Sequence, residues 1–243
     1  MKIVFSYFFK LYLALLFLVT LVLFYIPILL LLLREDTKKK AFPIFVFWCR
    51  LICFLAGYRV KPRFAYEIPE APFVLIANHT SFLDIVFMYL LFPKHPFLFL
   101  GKAELLKVPL VKTFFKRLHI PVHRNGPNAK KALESADIAI KNGWCVIIFP
   151  EGGIKENLVP ALQPFKDGAF RLAKNNSVPL VPITFMNNHD LFQDPAAKHS
   201  LAQPGVADVV VHPSIDKETI LNNDIETLKA NAFEKINSVL VKS

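Results

Sequence analysis

The chain has 243 residues, with 29 Lys and Arg against 19 Asp and Glu for a formal net charge of +10, and 54% of its residues are apolar, including 24 Phe. That apolar content excludes an intrinsically disordered chain, and three cysteines are too few for a disulfide scaffold. The basic balance combined with so much Phe points to an anionic lipid surface; nucleic acid would not account for the apolar excess, and the Lys and Arg are dispersed with no recognition motif.

From Leu11 to Leu33 the chain runs 23 residues without a charge. As a helix this run is about 34 Å long, against a hydrocarbon core of about 30 Å, so it can span a bilayer. A secretory signal has a shorter apolar core and a small-residue cleavage site, whereas this run ends in Ile28 and five leucines before Arg34, so it is expected to be retained. Lys2 and Lys10 precede the run's core, and Arg34, Lys38, Lys39 and Lys40 follow it. The positive-inside rule then places the rest of the chain in the cytoplasm, and the membrane is expected to be the cell's inner membrane. Ala41 to Gly57 is also apolar but contains Pro43 and Arg50. A central Arg costs about 2.5–3.5 kcal/mol to insert, so this stretch is expected not to cross. Phe42, Phe45, Cys49, Ile52, Cys53 and Ala56 recur at three- and four-residue steps and read as a lipid-facing stripe. Alternatively, both stretches form one hairpin in a single leaflet. Cys49 and Cys53 have no partner ligand nearby and are taken as small apolar residues.

After Lys61-Pro62-Arg63 short β-rich runs alternate with helical stretches. Strands are expected at 73–77, 97–100, 120–122, 144–149, 180–185 and 208–212, and helices at 82–91, 110–117, 127–142, 165–174 and 225–240. The fold class is α/β: a mostly parallel central sheet flanked by helices, with ligands at the strand carboxyl ends and an N-terminal membrane-embedded helical segment. The division is 1–60 for the membrane helix or hairpin and 61–243 for the α/β domain.

Asn78-His79-Thr80-Ser81-Phe82-Leu83-Asp84 lies where a buried strand meets a helix. Ser81 is a plausible N-cap with Asp84 at the third helical position, which by itself would merely start a helix. The functional alternative is that Asp84 accepts from one imidazole nitrogen of His79, leaving the other to remove a proton from a substrate hydroxyl. No G-x-S-x-G, P-loop or G-x-G-x-x-G pattern occurs, so serine hydrolases, P-loop enzymes and Rossmann dehydrogenases lack support. His119 and His123 flank Pro121, which argues against a shared helical face, and no metal site is expected.

Taken together, these segments resemble the lysophosphatidic acid acyltransferase family within the glycerolipid acyltransferases. Asn78 to Asp84 is similar to the family's N-H-x-x-x-x-D motif, Lys102-Ala103-Glu104-Leu105 to its K-x-E-L element, Ile120 to Arg124 to the segment ending in an acceptor-binding Arg, Phe149-Pro150-Glu151-Gly152 to F-P-E-G, and Val178 to Ile183 to a late V-P segment. The resemblance implies His79 as base, Asp84 as its orienter, and Lys102, Arg124, Glu151 and Gly152 as the acceptor site, with Gly153 beside them as a further candidate. It implies acyl transfer from an acyl-CoA or acyl carrier protein thioester to the sn-2 hydroxyl of lysophosphatidic acid, giving phosphatidic acid, with no cofactor beyond the thioester co-substrate and with membrane lipids as partners. Two departures bear on the acceptor. Gly153-Ile154 stands where the family has Thr-Arg, and His123 stands where an aspartate is usual. Lys155, or the backbone N–H groups of Gly152 and Gly153, are candidates to hold an anion instead. The same chemistry on a lyso-aminolipid is the nearest alternative, and a silent membrane lipid-binding protein is the rival of another class.

Overall fold

The computed structural model describes residues 2–102, 110–122, 128–154, 159, 161–193 and 200–240. Seven strands, β1 (Tyr58–Phe64), β2 (Val74–Ala77), β3 (Phe97–Lys102), β4 (Ile120–Val122), β5 (Cys145–Ile148), β6 (Leu180–Phe185) and β7 (Gly205–Val211), form one sheet in the order β1-β7-β6-β2-β5-β3-β4. The five strands from β6 to β4 are mutually parallel; β7 pairs antiparallel with β6 and parallel with β1. The mostly parallel sheet expected from alternating strands and helices is therefore present. All residues of β2 and β6 are buried, as continuous apolar runs in the centre of a covered sheet should be.

Helices α3 (Leu83–Leu91), α4 (Val111–Leu118), α5 (Asn128–Lys141), α6 (Gly168–Asn176) and α9 (Ile225–Leu240) answer to the amphipathic stretches, while α7 (Asn188–Leu191) and α8 (Lys217–Asn222) were not foreseen. Helix α6 contacts both α5 and α9, and α5, α6 and α9 meet the sheet at β5, β2 and β6. The N-terminal pair, α1 (Lys2–Leu32) and α2 (Lys38–Leu55), is joined by a 3-10 turn at Glu35–Thr37 and packs as an antiparallel hairpin: Phe17 stacks on Trp48, and the Tyr12 hydroxyl donates to Leu55 O.

The stripe expected to face lipid faces protein instead. Phe42, Phe45, Cys49, Cys53 and Ala56 are buried, and Phe42 and Phe45 pack on Tyr89 of α3, with Phe42 also on Phe97 of β3 and Phe45 on Phe114 of α4. Both faces of α2 are apolar, and the one whose rings interlock with the domain is withdrawn from solvent. Its outward face carries Phe47 at 58% exposure, Phe54 at 80%, and exposed Arg50 between them.

Helix α1 is long and apolar enough to cross a membrane. It also lies along the domain: Ser6 and Lys10 bond the segment at Ser200 and Ala202, Phe9 packs on Tyr58, and Tyr25 packs on Phe114 and reaches Thr113. From Ser6 to Tyr25 that docking runs about 28 Å. The opposite face, including Phe8, Leu11, Leu15, Val22 and Leu23, is exposed.

Candidate active site

The carboxyl ends of β2, β5 and β6 lie side by side, and the candidate residues follow those ends directly. Asn78, the first residue after β2, ties that end to β6: its Nδ2 donates to Phe185 O and its Oδ1 accepts from Phe185 N, both at 2.8 Å. The chain turns there, so His79 leaves the sheet edge before α3 begins.

His79 and Asp84 meet. His79 Nδ1 lies 2.9 Å from Asp84 Oδ2, which also accepts from Thr80 N at 2.8 Å and Ser81 N at 3.0 Å. The other oxygen, Oδ1, accepts from Asn188 Nδ2 at 2.6 Å. The carboxylate is 0% exposed and accepts from three N–H groups; as an acceptor-only group it meets Nδ1 through a hydrogen carried on Nδ1, the tautomer that has its lone pair at Nε2. The His79 side chain is 11% exposed, and Nε2 makes no hydrogen bond among the described residues. The imidazole lies on the Phe149 ring, 4.0 Å between centroids and 14° between planes.

The contacts that the helix-starting and the catalytic readings of Asp84 each require are both present, because Oδ2 serves the backbone and the imidazole at once. Helix α3 begins at Leu83, making Asp84 its second residue rather than its third. Ser81 caps from one position further back: its hydroxyl accepts from Leu83 N at 3.2 Å and donates to Phe192 O at 2.6 Å.

Glu151, in the turn after β5, is buried and has both oxygens engaged by backbone: Oε1 accepts from His79 N and Oε2 from Gln163 N, each at 2.8 Å. Burial pushes its carboxyl above the ordinary value, opposed by those two N–H groups. The turn is left-handed at Gly152, φ +82°, where a Cβ would stand 2.8 Å from Lys166 Nζ. Gly153 also has positive φ, at +139°. Lys102 closes β3 with its side chain outside the described residues, and Arg124, His123 and Lys155 also lie outside them.

Two residues of the site had no foreseen role. Asn188, on α7 after β6, binds Asp84, and Phe149 forms the platform under the imidazole. His119 is tied to Phe99 N through Nδ1, and burial depresses it to about 3, so it stays neutral. No group of three His, Cys, Asp or Glu suited to a metal ion occurs among the described residues.

The Acyltransferase family profile matches residues 59–186, more than half of the chain. The chain is 31% identical over 183 residues to 1-acyl-sn-glycerol-3-phosphate acyltransferase alpha of Ovis aries, covering 73% of this chain and 61% of that one. It is 31% identical over 180 residues to the 1-acyl-sn-glycerol-3-phosphate acyltransferase of Pseudomonas aeruginosa, covering 70% and 66%. A Chlamydomonas reinhardtii protein of the same description is 33% identical over 149 residues, covering 60% of this chain and 43% of that one. The chain thus spans roughly half to two thirds of the length of these relatives. The crystal structure of PlsC, the 1-acyl-sn-glycerophosphate acyltransferase of Thermotoga maritima, has the same fold, with a TM-score of 0.79 at 22% identity over 100% of this chain and 97% of that one. The matched stretch holds the His79–Asp84 corner and the Phe149–Gly152 turn that supports it, and the chain belongs to the Acyltransferase family.

Proposed function

We propose that this chain transfers a fatty acyl group from an acyl thioester to the sn-2 hydroxyl of lysophosphatidic acid, giving phosphatidic acid. The observation that carries the reading is the His79 Nδ1 contact to Asp84 Oδ2 at 2.9 Å, which leaves Nε2 as the proton acceptor at the sheet's carboxyl edge. Nε2 takes the hydroxyl proton, and the alkoxide oxygen attacks the thioester carbonyl carbon to form a tetrahedral oxyanion. Collapse breaks the C–S bond, and the departing thiolate takes the proton back from the imidazolium, so no acyl-enzyme forms. Asp84 stabilises the imidazolium between those two transfers. The relatives' descriptions as 1-acyl-sn-glycerol-3-phosphate acyltransferases support the acceptor.

The hairpin of α1 and α2 is read here as embedded in one leaflet, with its exposed apolar face in lipid and the domain on the cytoplasmic side. The long docking of α1 against the domain supports this over a helix standing away from it. Long-chain acceptor and product then stay in the layer where they already reside.

Lysophosphatidic acid and a panel of other lyso-lipids, each crossed with acyl-CoA and acyl carrier protein thioesters, test the assignment on the full chain in vesicles. Turnover selective for lysophosphatidic acid supports it; preference for a lyso-aminolipid, which Gly153-Ile154 in place of Thr-Arg makes the second reading, overturns the acceptor.

A further inference from the structure

Lys10 places an ammonium within the largely apolar helix α1, a costly arrangement unless it has a defined partner. That partner is the backbone beyond the catalytic corner. Lys10 Nζ donates to Ser200 O at 2.6 Å and to Ser200 Oγ at 3.0 Å, and one turn earlier Ser6 Oγ accepts from Ala202 N at 2.7 Å. Helix α1 therefore grips residues 200–202 at two points on one face.

The gripped segment is one side of a short antiparallel ribbon. Phe192 bridges Ala202, Gln193 N donates to Leu201 O, and Gln203 N donates to Leu191 O, the last two at 2.9 Å. The other side of that ribbon touches the catalytic corner twice. Phe192 O accepts the Ser81 hydroxyl at 2.6 Å, and α7, which leads into the ribbon, carries the Asn188 amide to Asp84 Oδ1. Ser81 N in turn donates to Asp84 Oδ2. A continuous set of hydrogen bonds thus runs from Lys10 through the ribbon to the carboxylate that orients His79.

We infer that Lys10 is a positioning residue: by seating α1 on the 200–202 segment it fixes Ser81 and Asn188 against Asp84, and so sets the aim of His79 Nε2. The inference rests on the acyl-transfer reading. Its consequence is that the helix in the lipid layer and the base are one mechanical unit, so chemistry is competent when α1 is docked. Lys10 Nζ is spent on Ser200 rather than on the His79–Asp84 corner, so its influence is expected on turnover rather than on acceptor binding.

The test uses the full chain in phosphatidylcholine–phosphatidylglycerol vesicles, comparing Lys10→Met, Lys10→Arg, Ser81→Ala and the Lys10→Met/Ser81→Ala double variant. Lys10→Met is expected to lower kcat for lysophosphatidic acid about tenfold or more, because small misplacements of a catalytic group are costly. Acceptor KM and vesicle retention stay at the wild-type values, Tm falls slightly with the two lost hydrogen bonds, and Lys10→Arg, which keeps a donor for Ser200 O, restores most of the rate. The double variant loses less rate than the product of the two single losses, because Ser81 is one of the two contacts through which Lys10 acts. Wild-type kcat in Lys10→Met, loss of rate in proportion to vesicle retention, or additive effects in the double variant overturns the inference. Should Lys10→Met fail to fold, Ser6→Ala removes the neighbouring contact and is read by the same outcomes. If His79→Ala keeps its turnover, the acyl-transfer reading itself fails; if His79→Ala is inactive while Lys10→Met is unaffected, only the present inference fails.

Discussion

The His79 imidazole lies flat on the Phe149 ring, with centroids 4.0 Å apart and planes 14° from parallel. Asp84 fixes one edge of the imidazole and Phe149 fixes its plane, so the direction of Nε2 is determined by two contacts from two different strand ends. Behind Phe149 the Phe99 ring stacks in turn at 6.2 Å, which keeps the platform from tilting. Phe149→Ala is therefore expected to lower kcat about ten- to a hundredfold with little change in acceptor KM, while Phe149→Tyr keeps most of the rate. Steady-state kinetics on the two variants check this; a rise in KM at constant kcat would place Phe149 in substrate binding instead.

Glu151, a candidate for shaping the acceptor site, holds the backbone of His79 and Gln163 with its two oxygens. In Glu151→Gln one carboxylate oxygen becomes an NH2 facing a backbone N–H, which removes an acceptor and sets donor against donor, at a cost of about 1–3 kcal/mol. The expected outcome is a lower Tm and a lower kcat with acceptor KM unchanged. Calorimetry together with saturation kinetics reads both; unchanged Tm with a raised KM would return Glu151 to the substrate.

His212 gives a pH prediction. The Thr184 hydroxyl donates to Ile236 O at 3.1 Å, so His212 must donate from Nε2 to Thr184 Oγ1, 2.8 Å away. Burial lowers the imidazole to about 4. The folded pKa is thus below that of the unfolded chain, and the unfolded state binds the extra proton first. The stabilisation is complete above about pH 6.5 and is lost as pH falls through the folded value, at most about 3 kcal/mol in all. The fall in Tm between pH 7 and pH 5 should be smaller in His212→Gln than in wild type; equal falls would contradict it.

The His79–Asp84 contact was legible because its parts are local: a buried strand, a turn, and a carboxylate five residues after the histidine in a helix's first turn. Asn188 was not, because it lies 104 residues from Asp84 and reaches it only through the adjacency of β2 and β6. Strand β1 was missed for a different reason. It contains Pro62 and five exposed residues, so it reads as a linker, but as the edge strand beside β7 it tolerates both. The orientation of α2 was missed because apolar periodicity shows which residues share a face and not whether lipid or protein covers it.

That last point has its own test. Phe42, fully buried against Tyr89 and Phe97, and Phe54, 80% exposed, are on the same helix. Phe42→Ala should cost about 3–5 kcal/mol of stability. Phe54→Ala should leave Tm unchanged and reduce retention on lipid vesicles. Thermal unfolding and vesicle flotation separate the two, and the reverse pattern would turn the helix over.

The most direct measurement is the turnover of His79→Ala against Asp84→Asn, in vesicles, with lysophosphatidic acid and an acyl thioester. Loss of the base removes the step that generates the alkoxide, and kcat should fall by about a thousandfold or more, with Asp84→Asn also impaired because the amide no longer fixes the Nδ1–H tautomer. Vesicle retention and Tm of His79→Ala should match wild type. Near-normal turnover in His79→Ala would contradict the account.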